Sequence, residues 1–111
     1  MTDFATVAQA ADIPPGEARV IEIDGRSIAL CHVAGDTFYA IDNVCTHDNG
    51  PLGEGQLLDN RIECPRHGAL FDVTTGQATT LPAIGRVASH LVRLIDGDVQ
   101  VALSPELDTA I

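Results

Sequence analysis

Short stretches in which apolar and polar residues alternate run along most of this chain, and turn-forming residues separate them. Residues 19–23 and 27–33 lie on either side of an Asp-Gly pair at 24–25, which readily adopts the positive φ angles of a tight hairpin turn. The segment 34–36, Ala-Gly-Asp, then separates 27–33 from 37–41, whose β-branched and aromatic residues favour a pleated, half-buried surface. The first part of the chain is therefore predicted to form two consecutive β-hairpins.

The same pattern continues towards the end of the chain. Three further short strands are predicted, over residues 61–63, 70–73 and 77–79. Residues 87–95 and 98–103 flank a second Asp-Gly pair at 96–97, which predicts a closing hairpin. The one helical prediction is a single short turn over 7–11, ahead of the two prolines at 14–15. We therefore predict an all-β fold, an antiparallel sandwich or barrel.

The chain has 111 residues, enough for one modest core, so residues 1–111 are predicted to form a single domain. Sixteen acidic residues oppose six basic ones, all of them arginine, for a net charge of -10 at pH 7. Nucleic acids and anionic membranes attract basic surfaces, so neither is an expected partner. The charge favours a rapid encounter with a basic surface of another protein. No signal peptide or membrane anchor is visible, and a cytoplasmic location is expected.

Two short groups of metal-binding residue types stand out, Cys-Thr-His at 45–47 and Cys-Pro-Arg-His at 64–67. Sixteen residues separate His47 from Cys64, enough for the chain to leave one loop, pass through a turn and a short strand, and return beside it. The early part of that segment, 49–56, is rich in glycine and is predicted to be a loop. Two Cys-His loops that face each other supply four converging ligands, which suit either a tetrahedral zinc ion or a diiron cluster with mixed ligands.

The order Cys-x-His then Cys-x-x-His, with this separation and with Gly-Pro-Leu early in the intervening loop, resembles the Rieske iron-sulfur proteins. The resemblance covers most of the chain and includes Phe-Asp-Val-Thr-Thr-Gly at 71–76. It also includes Leu-Pro-Ala at 81–83, which in the family is a loop that covers the cluster. The resemblance implies a Rieske fold, in which an antiparallel β base carries a small cluster-binding subdomain of two loops, here about residues 43–72.

The resemblance also implies the ligands of the site. One iron of a single 2Fe-2S cluster is held by thiolates and the other by imidazoles. Carried over to this chain, the thiolates are those of Cys45 and Cys64, and the imidazoles are those of His47 and His67. Such a cluster carries a single electron.

Four positions distinguish this chain from the Rieske proteins of respiratory and photosynthetic cytochrome complexes. Those proteins have a disulfide between two further cysteines of the cluster loops, where this chain has Gly50 and Arg66. They also place Ser and Tyr hydroxyls near the cluster sulfurs, where this chain has Ala69 and Phe71. Because such hydroxyls stabilise the reduced cluster, their absence predicts a midpoint potential nearer to about -150 mV than to zero, at the low end of the range for Rieske centres.

In its low expected potential and small size, the chain resembles the ferredoxins of bacterial ring-hydroxylating dioxygenase systems. In that family the ferredoxin is not itself an enzyme. It takes electrons from an NAD(P)H-dependent flavoprotein reductase and passes them singly to a terminal Rieske non-haem iron oxygenase. The resemblance implies the same partners here, and a monomer is expected. Two alternatives stay open, the Rieske-type small subunit of an assimilatory nitrite reductase and a non-redox Cys2His2 zinc module.

Other candidate residues lie outside the ligand motif. Cys31, His32 and His90 fall in predicted strands. We expect the Cys31 thiol to act as a small buried hydrophobe and both histidines to stay outside the metal site. Acidic residues around the motif predict a docking rim for a basic partner, consisting of Asp42, Asp48, Glu54, Asp59, Glu63 and Asp72.

Overall fold

The computed structural model describes residues 4–44, 51–65, 68–80 and 85–104. Within these ranges the chain forms one sheet of six strands and one of three. The strands are β1 (Ala5–Gln9), β2 (Glu17–Ile23), β3 (Arg26–Ala34), β4 (Thr37–Asp42), β5 (Leu57–Leu58), β6 (Arg61–Glu63), β7 (Leu70–Asp72), β8 (Ser89–Ile95) and β9 (Asp98–Ala102). Two 3-10 turns, Ala10–Asp12 and Leu52–Glu54, are the helical elements of these ranges, and neither has the length of a transmembrane segment. The predicted all-β fold is confirmed.

The large sheet curls into a nearly closed barrel with the strand order β1-β9-β8-β4-β3-β2. Both Asp-Gly turns have the predicted geometry. Asp24 and Gly25 have φ angles of 51° and 80°, and Asp96 and Gly97 have φ angles of 50° and 86°. Aspartate followed by glycine tolerates this left-handed backbone, so the two pairs set the register of the hairpins β2–β3 and β8–β9.

Two segments differ from the sequence-based expectation. The short helical turn ahead of the two prolines is present, but its predicted position over 7–11 is wrong, because β1 occupies Ala5–Gln9 and the 3-10 turn covers Ala10–Asp12. β1 pairs with β9 at the other end of the chain, so the local sequence does not reveal its partner. The strand predicted over 77–79 is also wrong. Its successive residues bond to different partners and form only isolated bridges, one of them to β7.

Strand β3 is buried on both faces and separates two hydrophobic cores. Residues 28–31 are fully buried, and their side chains alternate between the two cores. The first, which we call the barrel core, contains Ile13, Ile28, Leu30, Phe38, Ala40, Val99 and Val101. The second, the inter-sheet core, contains Ala29, Cys31, Ile41, Leu52, Leu57, Ile62, Cys64, Ala69, Phe71, Val73 and Val87.

The inter-sheet core joins the small sheet to β3 and β4. Leu57, Ile62 and Phe71 come one from each strand of the small sheet, whose order is β5-β6-β7. These strands have only two or three residues each, too few for sheet hydrogen bonds alone to stabilise them. Apolar burial against β3 and β4 supplies the missing stability. Cys64, the residue after β6, is thereby anchored on the body of the fold.

A buried polar network ties β4 and β8 to the chain just after β9. The His90 side chain is fully buried, and Ser104 N–H donates to its Nδ1 atom at 3.0 Å. Nδ1 is therefore the acceptor, and Nε2–H donates to Asp42 Oδ1 at 2.8 Å. Arg26 donates to the same Asp42 oxygen at 3.1 Å and to the Ser104 carbonyl at 2.6 Å. This arrangement requires neutral His90.

Burial lowers the pKa of His90 below its ordinary value of 6.5, although the hydrogen bond and the charge of Asp42 act in the opposite direction. The unfolded chain then binds the proton more readily than the folded chain. The stabilisation is therefore complete above about pH 6.5 and is lost as the pH falls below that value. We predict that the free energy of unfolding falls more steeply in the wild-type protein than in the His90→Gln variant as the pH drops below about 6.5. The difference is up to about 1.4 kcal/mol per pH unit.

Urea titrations of both proteins on either side of pH 6.5 measure this difference. Gln keeps an N–H that can reach Asp42 but has no ring to protonate, so it isolates the titration of the imidazole. Equal losses in the two proteins would show that His90 does not cause the acid sensitivity.

Candidate metal centre

Cys64, the first ligand position of the second predicted loop, directly follows β6. It is 1% exposed and belongs to the inter-sheet core. The other three predicted ligands, Cys45, His47 and His67, lie outside the described residues. The structure therefore describes the surroundings of one of the four ligand positions, together with the segments that lead into both loops.

The chain reverses tightly after Cys64. Cys64 N–H donates to the Ala69 carbonyl at 2.7 Å, and Gly68 N–H donates to the Cys64 carbonyl at 3.0 Å. Gly68 has a φ angle of 76°, in the left-handed region that glycine reaches without a steric penalty. These bonds continue the β6–β7 hairpin, in which Glu63 pairs with Leu70. The backbone at both ends of the Cys-x-x-His loop is therefore held by its own hydrogen bonds.

The glycine-rich segment before β5 packs against the strand end that leads to Cys64. A Cβ atom built on Gly55 would overlap the Glu63 carbonyl oxygen, so only glycine fits there. Glu63 N–H also donates to the Gln56 carbonyl at 2.9 Å. Leu52, at the start of the 3-10 turn, is completely buried in the inter-sheet core. The described part of the predicted loop is thus closely packed.

A third segment is fastened beside the reversal at Cys64. Leu70, the first residue of β7, donates its N–H to Thr80 Oγ1 at 2.8 Å. The Leu70 carbonyl accepts from Thr79 N–H, also at 2.8 Å. The segment 81–83, predicted to cover a cluster, lies outside the described residues. The two threonines that precede it are anchored to the strand that follows the Cys64 loop.

The other cysteine and histidines that the structure describes have structural surroundings. Burial raises the pKa of the Cys31 thiol to about 12, so the thiol stays protonated and is a poor metal ligand. The His32 ring stacks on Phe38 with centroids 4.0 Å apart, and each ring nitrogen lies 2.6 Å from a backbone carbonyl oxygen. His90 belongs to the polar network described above. The predicted burial of Cys31 as a small hydrophobe is confirmed.

The surroundings of Cys64 fit a soft metal centre. Leu52, Ala69 and Phe71 are fully buried in the same core, and none of them carries a polar side chain. Cysteine sulfur is a soft ligand that suits iron or zinc. Among the described residues no three of His, Cys, Asp and Glu come together as a metal site.

The family model described as a Rieske 2Fe-2S domain matches residues 3–91. The chain belongs to the Rieske family. Its cofactor is accordingly a 2Fe-2S cluster. The 3-phenylpropionate/cinnamic acid dioxygenase ferredoxin subunit of Photorhabdus laumondii subsp. laumondii is 40% identical over 96 residues, which cover 86% of this chain and 90% of that protein. The ferredoxin component of the naphthalene 1,2-dioxygenase system of Pseudomonas aeruginosa is 36% identical over 93 residues, which cover 84% and 88%.

Solved Rieske structures share the fold. The ferredoxin of carbazole 1,9a-dioxygenase from Nocardioides aromaticivorans IC177 has a TM-score of 0.88 at 31% identity, covering 93% of this chain and 100% of that one. A chain in a complex of reduced oxygenase and oxidised ferredoxin of carbazole 1,9a-dioxygenase has a TM-score of 0.86 at 35% identity, covering 97% and 100%. A protein described as an NADH-dependent nitrite reductase small subunit, from Mycobacterium tuberculosis, reaches 0.85 at 20% identity, which shows the fold alone. The predicted Rieske fold is confirmed.

Cys64 and Cys31 are a matched pair for testing the ligand assignment, because both are buried in the inter-sheet core. We predict that Cys64→Ala removes the cluster, since one iron loses a thiolate. Cys31→Ala should keep the cluster and lose only about 1 to 2 kcal/mol of unfolding free energy for the deleted sulfur. Iron, acid-labile sulfide and the visible spectrum measure the outcome. A Cys64→Ala protein with full iron and sulfide would contradict the assignment.

Proposed function

We propose that this Rieske protein is a one-electron carrier of an aromatic-ring-hydroxylating dioxygenase system. It takes electrons from an NAD(P)H-dependent flavoprotein reductase and passes them singly to a terminal non-haem iron oxygenase. The observation that carries this proposal is the similarity, along most of both chains, to relatives named as ferredoxin components of dioxygenase systems. The match to a chain of an oxygenase–ferredoxin complex supports an oxygenase as one partner. In this proposal the carrier is a cytoplasmic monomer.

The proposed ligands are Cys45 and Cys64 on one iron and His47 and His67 on the other. The spacing of the two Cys-His groups and the buried turn at Cys64 support this assignment. A cluster held in this way supplies a reversible one-electron couple. The chain needs no site for the organic substrate in this role. It is an electron-transfer component and not an enzyme, in agreement with the names of its relatives.

The backbone and the core around Cys64 fix the position of this proposed ligand. The hairpin bonds hold Cys64 at both its N–H and its carbonyl, and Cys64 shares the inter-sheet core with the buried Leu52 and Phe71. A preorganised site needs little rearrangement when its charge changes. Electron transfer benefits directly, because the carrier has to gain and lose an electron without reshaping its ligands.

Ala69 and Phe71 support a low midpoint potential. Both are fully buried in the core that contains Cys64, and neither side chain can donate a hydrogen bond to sulfur. Hydrogen bonds to cluster sulfurs stabilise the additional negative charge of the reduced state and so raise the potential. A potential nearer to about -150 mV than to zero is expected without them.

We predict that Ala69→Ser raises the midpoint potential, because its hydroxyl offers a donor beside Cys64. One such hydrogen bond, worth about 1 kcal/mol, corresponds to roughly 40 mV for a one-electron couple. Ala40→Ser adds the same hydroxyl at a similarly buried position of the barrel core and should leave the potential unchanged. A spectroelectrochemical titration compares the three proteins. Equal shifts of the potential in both variants would show that the effect of Ala69→Ser is not local to Cys64. A wild-type potential above about +100 mV would argue against the low-potential subclass.

The acidic rim is smaller in the structure than the sequence predicts. Asp42 does not belong to it, because its carboxylate is partly buried in the His90 network. Asp72 accepts hydrogen bonds from Thr74 N–H at 2.8 Å and from its hydroxyl at 2.6 Å, within the turn after β7. Asp48 lies outside the described residues. The described rim therefore consists of Glu54 at the end of the 3-10 turn, Asp59 between β5 and β6, and Glu63 at the end of β6.

Glu54 and Asp59 are exposed, and Glu63 is half-buried next to Cys64. Opposite charges steer an encounter, and salt screens them. We predict that a double variant, Glu54→Gln with Asp59→Asn, is reduced by the reductase roughly two- to tenfold more slowly at low ionic strength, with the difference vanishing at high salt. Stopped-flow reduction measures the rates. The control, Asp24→Asn with Asp96→Asn, removes the same charge from two exposed hairpin turns, and equal slowing there would exclude a local rim.

Two measurements test the carrier function. Electron paramagnetic resonance (EPR) of the dithionite-reduced protein reports a Rieske cluster, whereas a zinc module is colourless and gives no signal. Reconstitution with a flavoprotein reductase and a ring-hydroxylating oxygenase should stimulate hydroxylation in proportion to the ferredoxin added. Activity with a nitrite reductase large subunit alone would support the alternative role. Anaerobically purified protein without iron or acid-labile sulfide would overturn the proposal.

A further inference from the structure

Asn43 leaves β4 two residues before Cys45, and its side chain bonds in two directions. Its backbone N–H donates to the Ser27 carbonyl at 3.0 Å, so the chain is still paired with the start of β3 at this point. The side-chain Nδ2 donates to Ser27 Oγ at 3.0 Å, and Oδ1 accepts from Gly53 N–H at 2.5 Å. One amide therefore joins the start of the first cluster loop to β3 and to the 3-10 turn.

Gly53, which donates this hydrogen bond, is buried, and a side chain there would crowd its neighbours. A Cβ atom there would lie 2.6 Å from Val20 Cγ2 and 3.1 Å from Asn43 Oδ1. Val20 pairs with Ala29 across the β2–β3 hairpin, so the turn rests directly on these strands. The close approach presents the Gly53 N–H to the Asn43 side chain. The hydrogen bond between them fixes the turn relative to the end of β4.

The same turn is fastened to the start of the second cluster loop. Gly55 contacts the Glu63 carbonyl so closely that a Cβ atom would overlap it, and Glu63 N–H donates to the Gln56 carbonyl at 2.9 Å. Cys64 is the next residue. A continuous path of contacts therefore runs from Asn43 through the 3-10 turn to Cys64, and the hydrogen bond from Gly53 is its link to the first loop.

We propose that Asn43 is a positioning residue that sets the separation of the two cluster-binding loops. The inference rests on the proposed function, in which the cluster takes its ligands from both loops. Ligands have to be held within about 0.5 Å of their working geometry by the residues behind them, and loss of such a support typically costs 10- to 100-fold in metal affinity. The Asn43 amide provides this support at the point where β4 has ended and the chain enters the first loop.

The variant Asn43→Ala removes both side-chain bonds and should release iron to a chelator about tenfold faster than wild type. Its reduced EPR lines should also broaden, because the ligands sample a wider range of geometries. Asn43→Asp keeps the oxygen that accepts from Gly53 and should restore narrow lines and slow release. These readouts concern the cluster itself and not its activity with partners.

Gln100→Ala is the matched control. Gln100 is also a side-chain amide that bridges two partners, since it accepts from Arg93 at 2.6 Å and donates to Thr6 at 3.1 Å. It lies on β9 in the large sheet, so its loss should lower stability to urea without broadening the EPR lines or speeding iron release. Similar cluster effects in both alanine variants would reduce the role of Asn43 to general stability and overturn the inference.

The two proposals fail in different ways. Wild-type protein without a reduced-cluster signal would overturn the carrier function and this inference with it. A normal wild-type signal, with unchanged line widths and release rate in Asn43→Ala, would overturn the positioning role alone.

Discussion

The two-sided burial of β3 is the constraint on which the rest of the structure depends. One row of its side chains, Ile28 and Leu30, belongs to the barrel core, and the other row, Ala29 and Cys31, belongs to the inter-sheet core. A strand buried in this way has no polar face, and it has neighbours on both edges of its backbone. The small sheet can be short because β3 and β4 supply the apolar surface that it covers. The metal-binding end of the molecule therefore depends on the barrel for its stability.

Backbone contacts determine how closely the segments around Cys64 approach one another. Gly68 provides a left-handed residue inside the reversal, and Gly55 allows the chain to lie against the Glu63 carbonyl. Thr79 and Thr80 fasten the next segment to Leu70. These are short, specific contacts between residues that are close in sequence or on adjacent strands. Together with the burial of Cys64 in the inter-sheet core, they hold this ligand position in place.

The features that the sequence predicted well are those encoded by local chemistry. An Asp-Gly pair favours one kind of tight turn, so the sequence alone predicts the hairpins β2–β3 and β8–β9. The Cys-His spacing led to the family, although three of the four ligands lie outside the described residues. β1 was missed because its pairing with β9 is a contact between the two ends of the chain. Asp42 was assigned to the docking rim because a list of charges does not reveal that Arg26 and His90 already bind it. Asn43 carried no signal at all, since its partners Ser27 and Gly53 become neighbours only after folding.

The burial of Cys31 has a consequence for the chemical durability of the protein. Oxidants such as peroxide attack thiolates, and a thiol whose pKa is near 12 is almost never in that form at neutral pH. Because Cys31 is fully buried and its thiol stays protonated at neutral pH, the folded protein disfavours both its oxidation to sulfenic acid and its binding of iron. The third cysteine of the chain therefore contributes packing to the inter-sheet core and not a second reactive sulfur.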